Sequence, residues 1–216
     1  NTLTINLRNE LTEAVSVVIA GQQAAMTPVF FTDSQGRQRV RSFTHETTTT
    51  GVYSWNDLKP GSYLYMSGTH PAVQVQMGLY GAVSHDAAVG EAYPGVAYDS
   101  ELTLLYSEID PTLHNAVDSG SYGTATYPST VNYTPEYFLV NGAPFEPGIT
   151  PPLSAGTTGG KSLLRFLNAG LEDHAMVLQG QHMTLVAEDG NAYPWPRKQY
   201  SVFLAAGKTK DAIFTP

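Results

Sequence analysis

The chain carries six histidines and no cysteine. Without a thiol there is no disulfide, no thiolate zinc site, no cysteine nucleophile and no copper site built on cysteine sulfur. No two histidines form a His-x-His pair, and neither His-Glu-x-x-His nor Gly-x-Ser-x-Gly occurs. Gly156-Thr157-Thr158-Gly159-Gly160-Lys161-Ser162 comes near a phosphate loop, but Ala155 stands where the first glycine is required. No strand–helix pair brackets it, so it reads as a turn before a strand. Arg37, Arg39 and Arg41 alternate and share one face of a strand, where a salt-bridged or solvated role is the expectation. Glu108 and Asp110 could form a carboxylate pair, although they stand where a helix begins and acids gather there for the dipole alone. Asn132-Tyr133-Thr134 is a glycosylation sequon, meaningful only in a eukaryotic secretory host.

Any site must be held by short strands. Charged residues are only 14% of the 216, while 20 Gly, 14 Pro and 13 Tyr favour strands and turns over helices. A hydrophobic share of 42% is enough for a sizeable core. The formal charge of −8 repels phosphate backbones, so nucleic acid is disfavoured as a partner. No apolar run approaches the roughly 18 residues of a membrane span. The sequence opens at Asn1 without a basic, apolar leader, as expected of a chain whose export signal is removed or was never included.

Alternation predicts strands over 3–7, 15–19, 29–32, 37–43, 52–55 and 62–66, then a loop through His70-Pro71 and a strand over 73–83. These make one sandwich over residues 1–88, followed by a linker at 89–98. A second sandwich over 99–216 has strands at 100–106, 137–140, 162–168, 175–178, 183–187, 200–205 and 212–215. Its one short helix runs from the Asp110 cap and Pro111 to about Val117. Asn141-Gly142 and Asp189-Gly190 mark tight turns. The expected fold class is all-β, two sandwiches in tandem.

The most specific stretch is Gly61-Ser62-Tyr63-Leu64-Tyr65-Met66-Ser67-Gly68-Thr69-His70-Pro71, continuing to Met77-Gly78-Leu79-Tyr80-Gly81. It resembles the last strand–loop–strand of a cupredoxin domain, and closely the first domain of multicopper oxidases. There the form is Gly-Thr-Tyr-x-Tyr-His-Ser, a loop His, then Met-Gly-x-x-Gly. Leu163-Leu164-Arg165-Phe166-Leu167-Asn168-Ala169-Gly170, Gly180-Gln181-His182-Met183, Glu188-Asp189-Gly190 and Ala206-Gly207-Lys208-Thr209-Lys210-Asp211 resemble that family's second domain, in order. The resemblance covers nearly the whole chain. It implies two tandem cupredoxin-like Greek-key β-sandwiches, an oxidoreductase ancestry, copper as cofactor and a periplasmic or extracellular location.

The chain departs from the family pattern at the ligands. Met66 stands where the motif has His, and the stretch 15–19, where a His-x-His pair should fall, has no His. The family's electron-accepting copper needs a Cys, so a complete oxidase centre cannot be built and no catalytic residue is assigned. What remains, by analogy with a single-domain cupredoxin, is Met66 near the Cys position, His70 as the loop His and Met77 as the axial Met. His45 could approach from a neighbouring hairpin. Thioether and imidazole suit copper(I). In the alternative reading the methionines fill the core and His70 is an ordinary loop residue. His174 and His182 lie in the domain where the family has no ligands.

Three functions therefore compete: a multicopper-oxidase-like protein or fragment, a copper-binding electron relay, and a structural subunit of an extracellular assembly with degenerate copper sites. Whether the chain is an enzyme stays open. Family members usually have a strand before the one at 3–7. If that strand is absent, an open edge is expected to invite self-association, or the chain is a fragment whose missing strand comes from elsewhere; a further Cys-containing cupredoxin domain is the other expected partner.

Overall fold

The computed structural model describes residues 1–216. The chain runs through β1 (Thr2–Arg8), β2 (Val18–Ile19), β3 (Val29–Thr32), β4 (Gln38–Ser42), β5 (Thr50–Asn56), β6 (Gly61–Met66), the one-turn helix α1 (Pro71–Gln74) and β7 (Tyr80–His85). It continues through β8 (Glu91–Tyr93), β9 (Val96–Ala97), β10 (Ser100–Ile109), α2 (Pro111–Asp118), β11 (Tyr137–Val140), β12 (Ala143–Pro144), β13 (Ser162–Asn168) and β14 (His174–Val177). It ends with β15 (Met183–Glu188), β16 (Asn191–Gln199), β17 (Ser201–Leu204) and β18 (Thr209–Phe214). The fold is all-β in two compact units, one of residues 1–59 with 65–81, the other of 60–64 with 82–216. No helix is long and apolar enough to cross a membrane.

In the first unit β1 lies antiparallel to β5 from Thr2 opposite Asn56 to Arg8 opposite Thr50. Tyr53 and Trp55 project from β5 into the core with Val15, Val18 and Ile19. β3 and β4 form a hairpin whose turn is fixed by Asp33. One oxygen of Asp33 accepts the amides of Gln35 (3.0 Å) and Arg37 (2.9 Å), and the other accepts the Nε of Arg37 (2.8 Å) and Arg39 (3.0 Å). Arg41 pairs instead with Glu46. The alternating arginines are thus a salt-bridged face.

Two expected strands are shorter than their apolar runs. Only Val18–Ile19 of the stretch 15–19 joins a ladder, Val15 making an isolated bridge to Thr47. The stretch 73–83 starts as helix, and its strand begins only at Tyr80. The cause is local. Pro71 is preset for the first helical position, and the His70 carbonyl accepts the amides of Val73 and Gln74, both at 2.9 Å. Gln74 then holds the turn down, accepting from Ser67 Oγ (2.6 Å) and donating to the Ala14 carbonyl (2.9 Å). Gly81 is needed where it stands, since a Cβ there would lie 2.3 Å from the Tyr65 ring.

The second unit is a seven-stranded sheet in the order β12-β11-β10-β13-β18-β15-β16, with β14 and β17 pairing separately. β10 and β13 are parallel; their neighbours are antiparallel. Every residue of β13 is buried, so both faces of this strand are covered. Leu164 and Phe166 enter a core with Met183, Leu185, Val202 and Leu204. Leu163, on the other face, packs with Ala92, Tyr93, Val186 and Ala187. Residues 89–98, expected as linker, therefore include the β8–β9 hairpin and bury Ala92 and Tyr93 in this unit's core. The expected short helix is α2, capped by Asp110 with Pro111 at its start. Asn141-Gly142 and Asp189-Gly190 are turns with positive φ at both residues (53° and 79°, 50° and 70°).

Arg165 shares the Leu163 face and is fully buried. It donates to Asp86 (2.6 Å), Glu101 (2.8 Å) and Ser62 Oγ (3.2 Å), and packs 5.9 Å from the Tyr98 ring centroid. Ser62 passes its own proton to Asp211 (2.6 Å), whose second oxygen accepts the Tyr93 hydroxyl. Burial pushes the Asp211 carboxyl upward, opposed by the Ser62 and Tyr93 donors and by Arg165. Burial works against the charge on Arg165 too, but Asp211, Glu101 and Asp86 outweigh it and hold the guanidinium protonated.

Two outcomes follow from these charges. Replacing Arg165 by Met should cost about 3 kcal/mol in chemical denaturation, the low end for a buried pair, because buried Asp211 and the partly exposed Asp86 and Glu101 lose their cation. Asp211→Asn added to that variant should recover part of the loss; additive losses would show that the two do not act as a pair. At the hairpin, the amides of Arg37 and Gln35 and the two guanidinium groups hold Asp33 at about 2, below its ordinary 3.8. A depressed carboxylate stabilises the fold above its unfolded value, and that support is lost as pH falls from about 4 through 2. Protection factors in β3 and β4, taken relative to intrinsic exchange at each pH, should fall across that window in the parent and stay level in Asp33→Asn. A midpoint near 4 in the parent would contradict the assignment.

Candidate functional site

The four residues singled out from the sequence do not share one cavity. Met66 ends β6 opposite Val18 of β2, half-buried, in the wall of a largely apolar cavity of about 260 Å³ with Leu7, Val15, Val17, Tyr65 and Leu79. His70 is exposed, with a left-handed backbone (φ 41°, ψ 57°), and lines a polar cavity of about 270 Å³ with Glu13, Arg41, Glu46 and Gln74. His45 is stacked face to face on Tyr53 (4.5 Å, 7°) beside a small third cavity. Met77 is half-buried in the turn after α1 and lines none of the three.

Beside that cavity, Val18 and the loop after β6 are closely packed. Val18 is 4% exposed and stands across from Met66. Gly68 is pressed so closely on Val18 that a Cβ at 68 would come within 2.8 Å of a Val18 methyl and 3.0 Å of Ser16 Oγ. Beside them three buried hydroxyls satisfy one another. Thr69 donates to Ser16 or Ser42, each 3.0 Å away, and Ser16 and Ser42 are themselves 3.0 Å apart. Ser67 bonds to Gln74, and Thr69 also approaches Glu46 (3.3 Å). This hydroxyl cluster was not singled out from the sequence, since isolated Ser and Thr carry no periodic signal.

Copper does not fit this donor set. The sequence offers no thiolate, no three His, Asp or Glu side chains gather to hold an ion, and Met66 and His70 line different cavities. In the second unit the candidate carboxylates have separate structural tasks. Glu108 is buried and accepts from His174 Nε2 (2.9 Å), the Leu171 amide (2.9 Å) and Tyr133 Oη (3.2 Å). Gly170 makes the room, as a Cβ there would lie 2.2 Å from the Glu108 oxygens. Burial and the Glu108 charge push the Tyr133 phenol upward. Asp110 caps α2, accepting the amides of Thr112 (2.8 Å), Leu113 (3.2 Å) and Thr134 (3.0 Å). Although burial opposes it, those donors hold the carboxyl low. His182 lies edge-on to Tyr200 at 6.2 Å.

Similar structures have the same architecture. The chain aligns over 99% of its length with 63% of the blue copper oxidase from Nitrosomonas europaea, at 17% identity and a TM-score of 0.72. The multicopper oxidase Fet3p, described as functioning in iron import, aligns with 98% of the chain over 37% of its own length, at 20% identity and a TM-score of 0.72. A multicopper oxidase from Pseudomonas thermotolerans matches over 99% of the chain and 48% of its own, at 18% identity and a TM-score of 0.68. The chain thus spans less than two thirds of the length of these oxidases. At such identities the likeness establishes the fold, two tandem cupredoxin-like Greek-key sandwiches. No curated protein matches the sequence. The multicopper oxidase family model matches residues 101–216, more than half of the chain, and with the fold and motifs above it identifies this chain as a member of the multicopper oxidase family.

Proposed function

We propose that this chain is a copper-free cupredoxin pair of a multicopper-oxidase-like protein, a scaffold that holds partners or further domains and leaves electron chemistry to them. One observation carries the reading. At the meeting of β2 and β6, apolar packing and a closed hydroxyl cluster stand where the family motif has a ligand histidine. A retained metal site would keep lone pairs aimed at a common point. Here Val18 and Met66 face each other, Gly68 packs directly on Val18, and the hydroxyls of Ser16, Ser42 and Thr69 bond mainly to one another, Thr69 also reaching Glu46. The family relationship supports a periplasmic or extracellular location.

The relay reading, with copper(I) on Met66, His70 and Met77 and with His45 nearby, is disfavoured by the separate cavities of Met66, His70 and His45. The two readings part in a titration. Copper(I) offered to the purified chain in competition with a chromophoric chelator should not be held stoichiometrically, and His70→Ala or Met66→Leu should change nothing. Oxygen uptake with added copper and a phenolic donor should stay at the level of free copper. One tightly held ion, weakened at least tenfold by His70→Ala, would overturn the proposal in favour of the relay.

The retained framework makes an opposite prediction. Directly opposed residues on neighbouring strands have Cβ atoms about 4.5–5.5 Å apart, close enough for two imidazoles to share one ion. Val18→His with Met66→His should therefore create copper(II) or zinc binding absent from the parent, at least a hundredfold tighter than either single variant. Equal affinity of the double and single variants would show that this strand pair no longer gathers ligands.

A further inference from the structure

We propose that β1 pairs through its open edge with β1 of a second copy of the chain, in an antiparallel register centred on Ile5. In an antiparallel ladder, alternate residues spend both backbone groups on one neighbour. At the two ends of the β1–β5 ladder, Asn9 donates to Thr49 (2.7 Å) and Asp57 donates to Asn1 (2.8 Å), which fixes the odd-numbered residues as those bonded to β5. Leu3, Ile5 and Leu7 therefore face β5. Thr2, Thr4, Asn6 and Arg8 turn their N–H and C=O groups to the other side, where no strand lies, and all four are exposed.

That edge is self-complementary. Centred on Ile5, the two-fold places Thr2 opposite Arg8 and Thr4 opposite Asn6, and every outward backbone group finds a partner. Leu3 then faces Leu7 across the pair, so apolar side chains meet apolar ones and polar meet polar. The only charge, Arg8, opposes a threonine. Shifting the register by two residues keeps the faces matched but leaves an outward residue of each copy unpaired.

Several other edges carry guards. β16 carries Pro194 and Pro196 followed by Arg197 and Lys198, β4 carries Arg39 and Arg41, and β12 is two residues long and ends in Pro144. On the far side of β5 the Thr50 carbonyl is already taken by the Thr47 hydroxyl (2.7 Å), and Gly51 weakens the strand. β1 has neither Pro nor Gly. Because only a strand edge is buried, the association is weak and depends on concentration.

Sedimentation velocity of the full chain over a concentration series reads this directly. Dimer should accumulate toward about 1 mM, the range of an edge contact. Thr4→Pro removes an outward N–H and no backbone bond to β5, only the exposed hydroxyl contact of Thr4 with Ser54 (3.1 Å), so with circular dichroism unchanged the self-association should weaken at least tenfold. Val52→Pro, the equivalent change on β5, should leave it unaltered. Lysine at both 4 and 6 sets like charges opposite each other and should abolish the dimer. Thr4→Lys with Asn6→Glu sets opposite charges together in this register alone and should restore it. A monomer at every concentration, or a dimer indifferent to Thr4→Pro, overturns the proposal.

Discussion

The second unit depends on one buried cation. β13 is the strand on which its two cores are built, and a strand covered on both faces normally carries only apolar residues. Arg165 breaks that rule in the middle of the strand. Its guanidinium faces Asp86 and Glu101 directly and Asp211 through Ser62, three acids to one base. Burial is the main cause of the upward shift of Asp211, and the neighbouring Asp86 charge adds to it. The partners come from distant points of the sequence, so the planar fork of Arg fixes the register of segments that apolar packing alone would leave free to slide.

In the first unit the organising polar feature is neutral. Ser16, Ser42 and Thr69 form a closed set of hydroxyls whose cost of burial is offset by their own hydrogen bonds. The set joins the β2 region, the end of β4 and the loop after β6. Those are segments that a metal could otherwise tie together.

Much of the fold was legible in the sequence because local signals agreed with the tertiary outcome. The run 162–168, the Asn141-Gly142 and Asp189-Gly190 turns, and the Asp110-Pro111 helix start each have one dominant physical cause, and each appears where expected. The strand over 73–83 failed because apolar alternation continued through a segment in which Pro71 and the Gln74 side chain favour a helical turn. The stretch 84–98 showed no period, yet Tyr93 is 2% exposed, its burial decided by a contact with β13 and β15 that no local pattern encodes. At the candidate site, the loss of histidine and cysteine could be read directly. What replaced them could not, because hydroxyl partners far apart in sequence leave no spacing rule to recognise.

The replacement has a thermodynamic consequence. In a metalloprotein the ligand cluster is a liability until the ion arrives, because converging lone pairs repel and must be desolvated, and metal binding then supplies part of the folding free energy. Where apolar residues such as Val18 and Met66 stand in place of ligands, that penalty is absent and burial contributes about 25 cal/mol per Å² of apolar surface, whether or not copper is present. A chain that still needed copper would have little to gain from closing this corner with a glycine and a valine in van der Waals contact. One released from copper would gain stability from each such step, until the space for the ion was gone.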